Sequence, residues 1–310
     1  SVDFFRDERV DVLISGNQRA IPEYYGTTAP VANLGTVQNQ GYEIVLNLNH
    51  YFGENLRLWA DLNMTHAQNK VIEGDNPELL PEYQKNNNKA IGQAYSYIDN
   101  GFYNTWDELY GTTPFNTDDS QKIPGGYQIV DFNADGIIDG FDNVPYAFAG
   151  APQNTYNATV GFDWKGLSGF VQFFGANNVT RQVVFNSLGN QNNIVYDEGS
   201  YWSKDNTNAD APVPRWVTTT NGAANGSRFF YDGSYVRLKN AEIAYTFPVE
   251  SKILTSFGFE SLRLFLNGNN LYIWTKMPDD RESNFAGTGW ASQGAYPTVK
   301  RFNFGLNITF

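Results

Sequence analysis

The chain ends with RFNFGLNITF, residues 301–310, and this stretch decides the fold. Side chains of an extended strand point alternately to its two faces. One face of this strand therefore carries only large apolar groups, while the other carries Asn, Gly and Thr. The apolar set is Phe302, Phe304, Leu306, Ile308 and Phe310. A face of this kind must lie against lipid or against a second sheet.

The same alternation returns in stretches of about ten residues, which is the length that a tilted strand needs to cross a bilayer. It is regular in 56–66 and 155–164. In 234–247 the apolar set changes phase between Leu238 and Ala241, as a β-bulge would cause. The alternation predicts about eight strands, near 1–14, 41–50, 56–66, 155–164, 167–176, 234–247, 261–274 and 299–310.

The connections between these strands alternate between long and short. The long ones are 15–40, 67–154, 177–233 and 275–298, and the short ones are 51–55, 165–166 and 248–260. Outer-membrane barrels have long extracellular loops and short periplasmic turns. The sequence therefore predicts an all-β protein, a transmembrane antiparallel β-barrel in the bacterial outer membrane, with Phe310 at the periplasmic rim. An open sheet edge does not occur in lipid, so we expect these strands to be part of a larger barrel.

Composition excludes several other classes of protein. The 310 residues include no Cys and only 2 His, which excludes most zinc sites. The net charge of −12 argues against nucleic acid as a partner. No apolar run is long enough for a membrane helix, and no nucleophile-elbow or phosphate-binding glycine motif is present. We therefore expect neither catalysis nor a nucleic-acid partner. The missing initiator Met indicates either a mature product or an internal fragment, and we favour the fragment.

Several blocks of the sequence together resemble the SusC/RagA-like TonB-dependent outer-membrane transporters, over nearly the whole chain. The blocks are SVDFFRDERVDVL, IPEYYGTTAPVANLGTVQNQGYEI, WADLNMTHAQNKV, YQIVDFNADGIIDGFD, YVRLKNAEIAYTFP, LRLFLNGNNLYIWTKM and YPTVKRFNFGLNITF. This resemblance implies a barrel of about 22 strands closed by an N-terminal plug. It also implies TonB-driven import of glycan or peptide fragments and a SusD-like surface lipoprotein as a lid.

By the same resemblance, residues 1–310 are the C-terminal part of such a barrel, and the plug and the TonB-contacting segment are absent from them. TonB would act through that missing N-terminal part. Phe310 would form part of the signal that the barrel-insertion machinery recognises. Outer-membrane lipid would surround the strands.

The stretch DFNADGIIDGFD, residues 131–142, has the spacing of an EF-hand calcium loop. Such loops supply oxygen ligands from positions 1, 3, 5, 7, 9 and 12, with Gly at position 6. Asp at position 12 replaces the usual bidentate Glu, so weak binding is expected. The predicted calcium ligands are Asp131, Asn133, Asp135, the carbonyl of Ile137, Asp139 and Asp142. The alternative is a turn rich in Asp and Asn that holds no metal.

Large aromatic residues in the predicted external loops are candidate substrate contacts, because a sugar ring stacks on a flat aromatic face. They are Trp106, Tyr201, Trp202, Trp216 and Trp290. The alternative is that they belong to loop cores or to the aromatic belts of the membrane interface.

Three functional hypotheses remain from the sequence. The first is a nutrient importer of the SusC type. The second is a structural or assembly subunit of a larger outer-membrane complex. The third, a soluble calcium-binding glycan adhesin, requires the apolar strand faces to be buried against a second sheet.

Overall fold

The structure is a computed structural model that describes residues 1–16, 19–22, 24, 26–111, 115–116, 123–182, 200–210, 212–213, 226–277 and 298–310. Two short helices are α1 (Trp106–Gly111) and α2 (Lys252–Phe257). None of the helices in these ranges has the length and apolarity needed to cross a membrane. The strands are β1 (Val2–Ile14), β2 (Ala32–Phe52), β3 (Leu56–Glu73), β4 (Tyr95–Ser96), β5 (Asp99–Phe102), β6 (Phe115–Asn116), β7 (Tyr127–Ile129), β8 (Ile137–Ile138), β9 (Val144–Pro145), β10 (Asn154–Trp164), β11 (Leu167–Asn177), β12 (Thr180–Gln182), β13 (Phe230–Asp232), β14 (Tyr235–Thr246), β15 (Ser261–Thr275) and β16 (Arg301–Thr309).

Eight of the strands form one large sheet in the order β1-β2-β3-β10-β11-β14-β15-β16. Every neighbouring pair in it is antiparallel. β1 and β16 lie at the two edges, and no pairing joins them in the described part of the chain. The expectation that these residues do not close a barrel by themselves is confirmed. Pairing of the two edges with further strands stays a prediction.

The strand register aligns most of the large apolar residues of the sheet on one face, whereas Trp59, Phe170 and Phe174 lie on the other. Val160 in β10 lies opposite Ala60 in β3 and Val171 in β11. At the far edge, Phe304 in β16 lies opposite Leu266 in β15. The side chain of Phe304 is 74% exposed, and that of Leu266 is 50% exposed. This face is the one that the sequence assigns to lipid, and below it is called the apolar face.

Amide side chains form a hydrogen-bonded ladder across four strands on the opposite, polar face. The Gln172 amide donates to the Asn157 side-chain oxygen at 2.8 Å. The Asn240 amide donates to Gln172 at 2.5 Å, and the Asn269 amide donates to Asn240 at 2.5 Å. Because Asn and Gln each offer both a donor and an acceptor, the ladder satisfies these groups without charge.

Ion pairs lie on the polar face nearer to the short turns. Arg57 contacts Asp163 at 3.4 Å across β3 and β10. Arg263 contacts Glu242 across β15 and β14. The Asn303 amide extends this group to the edge strand by donating to the Asn267 side chain at 2.8 Å. Side-chain hydrogen bonds and ion pairs therefore connect neighbouring strands of the polar face at two levels, one in the middle of the sheet and one nearer to the short turns.

The predicted bulge in 234–247 is confirmed. The register of β14 shifts against both of its neighbours between Leu238 and Asn240. Lys239 is the extra residue, and the shift returns Ala241 and Ile243 to the apolar face. A second irregularity in β1 has Asp11 at φ 56°, a left-handed conformation that Asp tolerates better than most residues.

Two strands are longer than predicted. β2 begins at Ala32 rather than near residue 41, and β3 ends at Glu73 rather than near residue 66. The extensions pair with each other, as Gln40 does with Gln68 and Gln38 with Lys70. Asn39 pairs with Asn69 on the other face, so both faces are polar along residues 38–40. The alternation used for the prediction is lost there, although the backbone ladder continues. The predicted loop 15–40 therefore ends with strand, and the predicted loop 67–154 begins with strand.

The connections 74–153 and 178–234 pack together at the long-loop end of the sheet, where the structure describes them. Two small clusters form their core. One contains Tyr97, Ile129 and Ile138, and the other contains Phe102, Trp202 and Ala209 with Tyr127 and Val213. Short strand pairs such as β5 with β7 and β12 with β13 connect the segments. The opposite, short-turn end carries the tight connections 53–55 and 165–166 and the segment 247–260 with α2.

A charge placed in the middle of the apolar face tests the assignment of the two faces. We expect Val160→Arg to destabilise the inserted barrel by about 2–4 kcal/mol, because an arginine at mid-membrane must lose its hydration. The neighbouring change Thr159→Arg, on the polar face, should cost much less. Denaturant unfolding of the whole receptor in lipid vesicles, followed by heat-modifiable gel migration, measures both. Equal losses for the two variants would contradict the assignment.

Candidate functional site

The acidic loop, residues 131–142, is closed by its own side chains. The Asp131 carboxylate accepts hydrogen bonds from the N–H groups of Asp135 at 3.2 Å and Gly136 at 2.8 Å. The Asp135 carboxylate accepts from the Ile137 N–H at 2.8 Å. Gly136 has φ 86°, a conformation that glycine adopts without steric cost. The glycine expected at the sixth position therefore makes the turn, as the motif predicts.

Asp142 is fully buried and holds the two ends of the acidic loop together. Its carboxylate accepts hydrogen bonds from the N–H groups of Phe132 at 2.7 Å and Asp139 at 2.8 Å. Asp139 in turn accepts from the Phe141 N–H at 2.8 Å, which completes a capping box on a 3₁₀ turn. A buried carboxylate needs such partners, because an unpaired one is costly to bury. Asp142 therefore has a structural role that does not depend on an ion.

Tyr83 and Gln84 attach the acidic loop to the connection that follows β3. The Tyr83 hydroxyl donates to the Phe141 carbonyl at 2.8 Å, and its ring packs against Phe132. The Gln84 amide donates to the Asn143 carbonyl at 2.8 Å. Burial raises the pKa of the Tyr83 hydroxyl, and the carboxylates of the acidic loop raise it further. Tyr83 therefore stays neutral and remains a donor at physiological pH.

The metal hypothesis depends on whether the acidic side chains converge. Asp131 and Asp135 are turned towards backbone N–H groups, and the Asn133 amide donates to Asp135 at 2.9 Å. Within the described residues, no group of three or more His, Asp or Glu side chains is placed to hold a metal ion. The donor types still match those of a calcium loop. Calcium binding by Asp131, Asn133, Asp135, Ile137, Asp139 and Asp142 stays a prediction.

The predicted substrate-contacting aromatics are found in different environments. Trp106, at the start of α1, is 51% exposed, and its ring stacks on Tyr110 with centroids 5.7 Å apart and planes 13° apart. Tyr201 is half-buried. Trp216 and Trp290 lie outside the described residues. Tyr110, which is 79% exposed, was not predicted, although its spacing of four residues from Trp106 in a helix is the signal that would have identified it.

Trp202 lies inside the loop core instead of on its surface. Its side chain is buried against Phe102, and its indole N–H donates to the Asn104 side chain at 3.0 Å. This position agrees with the alternative that loop aromatics build a core. Of the three described aromatics, Trp106 is the most accessible to a ligand.

Arg228 joins two long connections, and sequence reasoning did not identify it. Its guanidinium makes two hydrogen bonds to Asp99, at 3.1 and 3.2 Å, and lies 4.4 Å from the centroid of the Phe102 ring. It also donates to the Asp210 carbonyl at 3.2 Å. A planar guanidinium can make all of these contacts at once, which lysine cannot. Nothing in the local sequence distinguishes this arginine, because its partners are 18 or more residues away in the chain.

A cavity of about 390 Å³ lies between the long-loop ends of β1, β2 and β3 and the segment 86–95. Burial raises the pKa of Tyr95, whose hydroxyl is buried and makes no hydrogen bond in the described structure. Lys89 donates to backbone carbonyls, including that of Tyr83 at 2.5 Å, and burial lowers its pKa. The volume is within the range of small-ligand pockets. Val37, Val71, Ile91, Glu73 and Asp75 also line it.

Phe310, the predicted insertion signal, follows β16 at the short-turn end. Its side chain is 80% exposed and lies edge-on to the ring of Phe259, with centroids 5.4 Å apart. The terminal aromatic is therefore accessible while resting on a neighbouring turn. Its role in insertion stays a prediction.

Known proteins are similar to this chain over its full length. No family model matches it. It is 28% identical to TonB-dependent receptor P3 of Formosa agariphila, with 100% of this chain and 32% of that receptor aligned. It is 25% identical to TonB-dependent receptor P26 of the same organism, over 94% of this chain and 31% of the receptor. The chain is similar throughout to TonB-dependent receptors.

Solved structures show the same fold. The RagAB peptide transporter superposes with a TM-score of 0.66 at 18% identity, covering 100% of this chain and 33% of that one. The open-open state of the RagAB peptide importer gives a TM-score of 0.62 at 19% identity, covering 100% of this chain and 32% of that one. This chain thus spans about a third of the length of its relatives. The predicted resemblance and the predicted barrel fold are confirmed. The relatives are receptors and transporters, which agrees with the expectation of a non-enzyme.

Calcium removal tests the metal prediction. If the ion orders the acidic loop, we expect EDTA to increase protease cleavage within 125–145 while the membrane strands stay protected. Asp135→Ala should have the same effect as EDTA, because it removes a ligand that is otherwise exposed. Limited proteolysis of the whole receptor with mass spectrometry measures the cleavage sites.

Asp142→Ala provides the matched control. It removes a buried carboxylate that accepts backbone hydrogen bonds, each worth about 1.5–3 kcal/mol when the acceptor is charged. Cleavage should therefore increase in this variant with or without calcium. Identical cleavage of the wild type in calcium and in EDTA would contradict the metal assignment.

Phe310→Ala tests the insertion signal. We expect it to lower the amount of receptor inserted into the membrane more than it lowers the stability of receptor already inserted, because an exposed terminal ring contributes little packing. Pulse-labelled assembly assays give the first quantity, and denaturant unfolding in lipid gives the second. Wild-type insertion kinetics in this variant would contradict a signal role.

Proposed function

We propose that this chain is part of the barrel of a TonB-dependent nutrient importer of the SusC/RagA type in the bacterial outer membrane. The observation that carries the proposal is the two-faced eight-stranded sheet, together with similarity to TonB-dependent receptors along the whole chain. A barrel sheet has lipid on one side and a polar lumen on the other, so it needs one apolar face and one polar face. The imported material is a glycan or peptide fragment.

The orientation follows from the connections. The long-loop end faces the outside of the cell, and the short-turn end with Phe310 faces the periplasm, as in other outer-membrane barrels. The connection 74–153 carries 12 acidic residues and 3 Lys, so the external surface repels anionic ligands. This charge favours neutral or cationic substrates.

Substrate contacts are proposed at the long-loop end. The stacked rings of Trp106 and Tyr110 offer an exposed flat surface, which suits a sugar ring or an aromatic side chain. The cavity of about 390 Å³ beside Tyr95 lies at the same end and has room for a small fragment.

The proposed partners follow from the same assignment. A SusD-like surface lipoprotein would cover the long-loop end, as a second component does in proteins of this type. TonB would act through the part of the receptor outside these residues. The barrel-insertion machinery would recognise the last strand, and lipid would surround the apolar face.

Uptake by cells that carry the whole receptor tests the function. We expect deletion of the receptor gene, or of TonB, to abolish uptake of one class of labelled oligosaccharide or peptide. Trp106→Ala should weaken uptake of that substrate about fivefold to tenfold, consistent with the loss of roughly 1 kcal/mol of aromatic stacking. Trp106→Phe should retain most of it. Uptake of every fragment class at wild-type rates after deletion would favour the structural-subunit hypothesis instead.

Two single-cysteine variants verify the orientation in the same cells. Leu79, in a long connection, and Glu54, in a short turn, are both exposed. A membrane-impermeant maleimide should label Leu79→Cys in intact cells and Glu54→Cys only after the outer membrane is permeabilised. The reverse pattern would overturn the proposed orientation.

A further inference from the structure

The segment between β14 and β15 is the longest connection at the short-turn end, and it contains α2. Ser251 caps the helix by accepting the Ile253 N–H at 3.4 Å. Gly258 ends it in the left-handed conformation, φ 70°. Leu254 is buried and holds the helix against the rest of the protein. The helix is therefore fixed in place by both caps and by one core residue.

The other apolar residues of this helix face outward. Ile253 and Phe257 are four residues apart, so they lie on the same side of α2, and Phe257 is 69% exposed. Val249, just before the helix, is also exposed. Large apolar groups on a structured turn lose contact with water only if something apolar covers them.

An unbroken row of rings connects this surface to the apolar face of the sheet. The Phe257 ring stacks on Phe259, with centroids 5.6 Å apart and planes 18° apart. Phe259 contacts Phe310, whose position continues the apolar face of β16. The surface of α2 is thus continuous with the face that lies against lipid.

Other aromatic residues lie at the same end of the apolar face. Phe52 ends β2, and Trp164 ends β10, and both side chains are about half exposed. Aromatic residues form belts at the levels where barrels meet the lipid headgroups. The membrane interface therefore lies at the height of these residues, next to α2.

We propose that α2 is an interfacial anchor: Ile253 and Phe257 insert into the lipid leaflet beside the short-turn end, and the exposed Lys252 stays at the level of the phosphates. The occupant of this surface is phospholipid and not a protein partner, because the surface is a direct extension of the lipid-facing strands. A helix in this position fixes the height of the last two strands in the membrane. The inference is independent of which substrate the barrel imports.

Fluorescence quenching tests the anchor in the whole receptor, reconstituted in vesicles of phosphatidylethanolamine and phosphatidylglycerol. These 310 residues contain no cysteine, so Phe257→Cys introduces a defined labelling position within them. Thr255→Cys is the control, since Thr255 is exposed on the opposite side of α2. Heat-modifiable gel migration shows that both labelled receptors are folded.

The expected result is strong quenching of the Phe257 label by brominated lipid and weak quenching by aqueous iodide, with the reverse for Thr255. Equal iodide quenching at the two positions would overturn the anchor. A Phe257 label that iodide reaches in vesicles, but that is shielded from it in cell envelopes, would also overturn it and identify a protein partner.

Discussion

The structure depends on one constraint, which is that every backbone N–H and C=O inside a lipid bilayer must find a partner within the protein. The antiparallel ladder from β1 to β16 satisfies this for the interior of the sheet. Because side chains alternate with period two, a slip of one residue in any pair would move its apolar groups into the polar face. The strand register therefore determines both which side chains contact lipid and which side chains face the lumen. The bulge at Lys239 preserves this arrangement, because the extra residue restores Ala241 to the apolar face.

The same constraint explains how much of the fold was predictable. Strands β10, β11 and β15 were predicted to within about one residue of their bounds, because each has one face in lipid and the other in a polar lumen. The extra length of β2 and β3 was missed, because polar pairs occupy both faces there, such as Gln38 with Lys70 and Asn39 with Asn69. Backbone pairing continues there without the alternation of apolar and polar side chains that identifies a strand from sequence.

The candidate site was predictable only where its signal is local. The turns of the acidic loop, with Gly136 at the sixth position, follow from spacing within twelve residues. The burial of Trp202 and the pairing of Arg228 with Asp99 do not, since both depend on segments about 100 or more residues away in the chain. Loop aromatics look alike in sequence whether they are core or surface. The structure separates them into a buried Trp202 and an exposed Trp106.

The two ends of the sheet meet different physical demands. The connections at the long-loop end lie outside the bilayer, where water competes for every polar group, so they need a core of their own. Phe102, Trp202 and the bidentate pair of Arg228 with Asp99 provide it. At the short-turn end the connections are too small to bury a core, and Leu254 is the one residue of α2 that becomes fully buried. In the proposed anchor, exposed rings such as Phe257 leave water by entering lipid, and no further chain is needed to cover them. The length of each connection thus determines whether its apolar residues pack on each other or on the membrane.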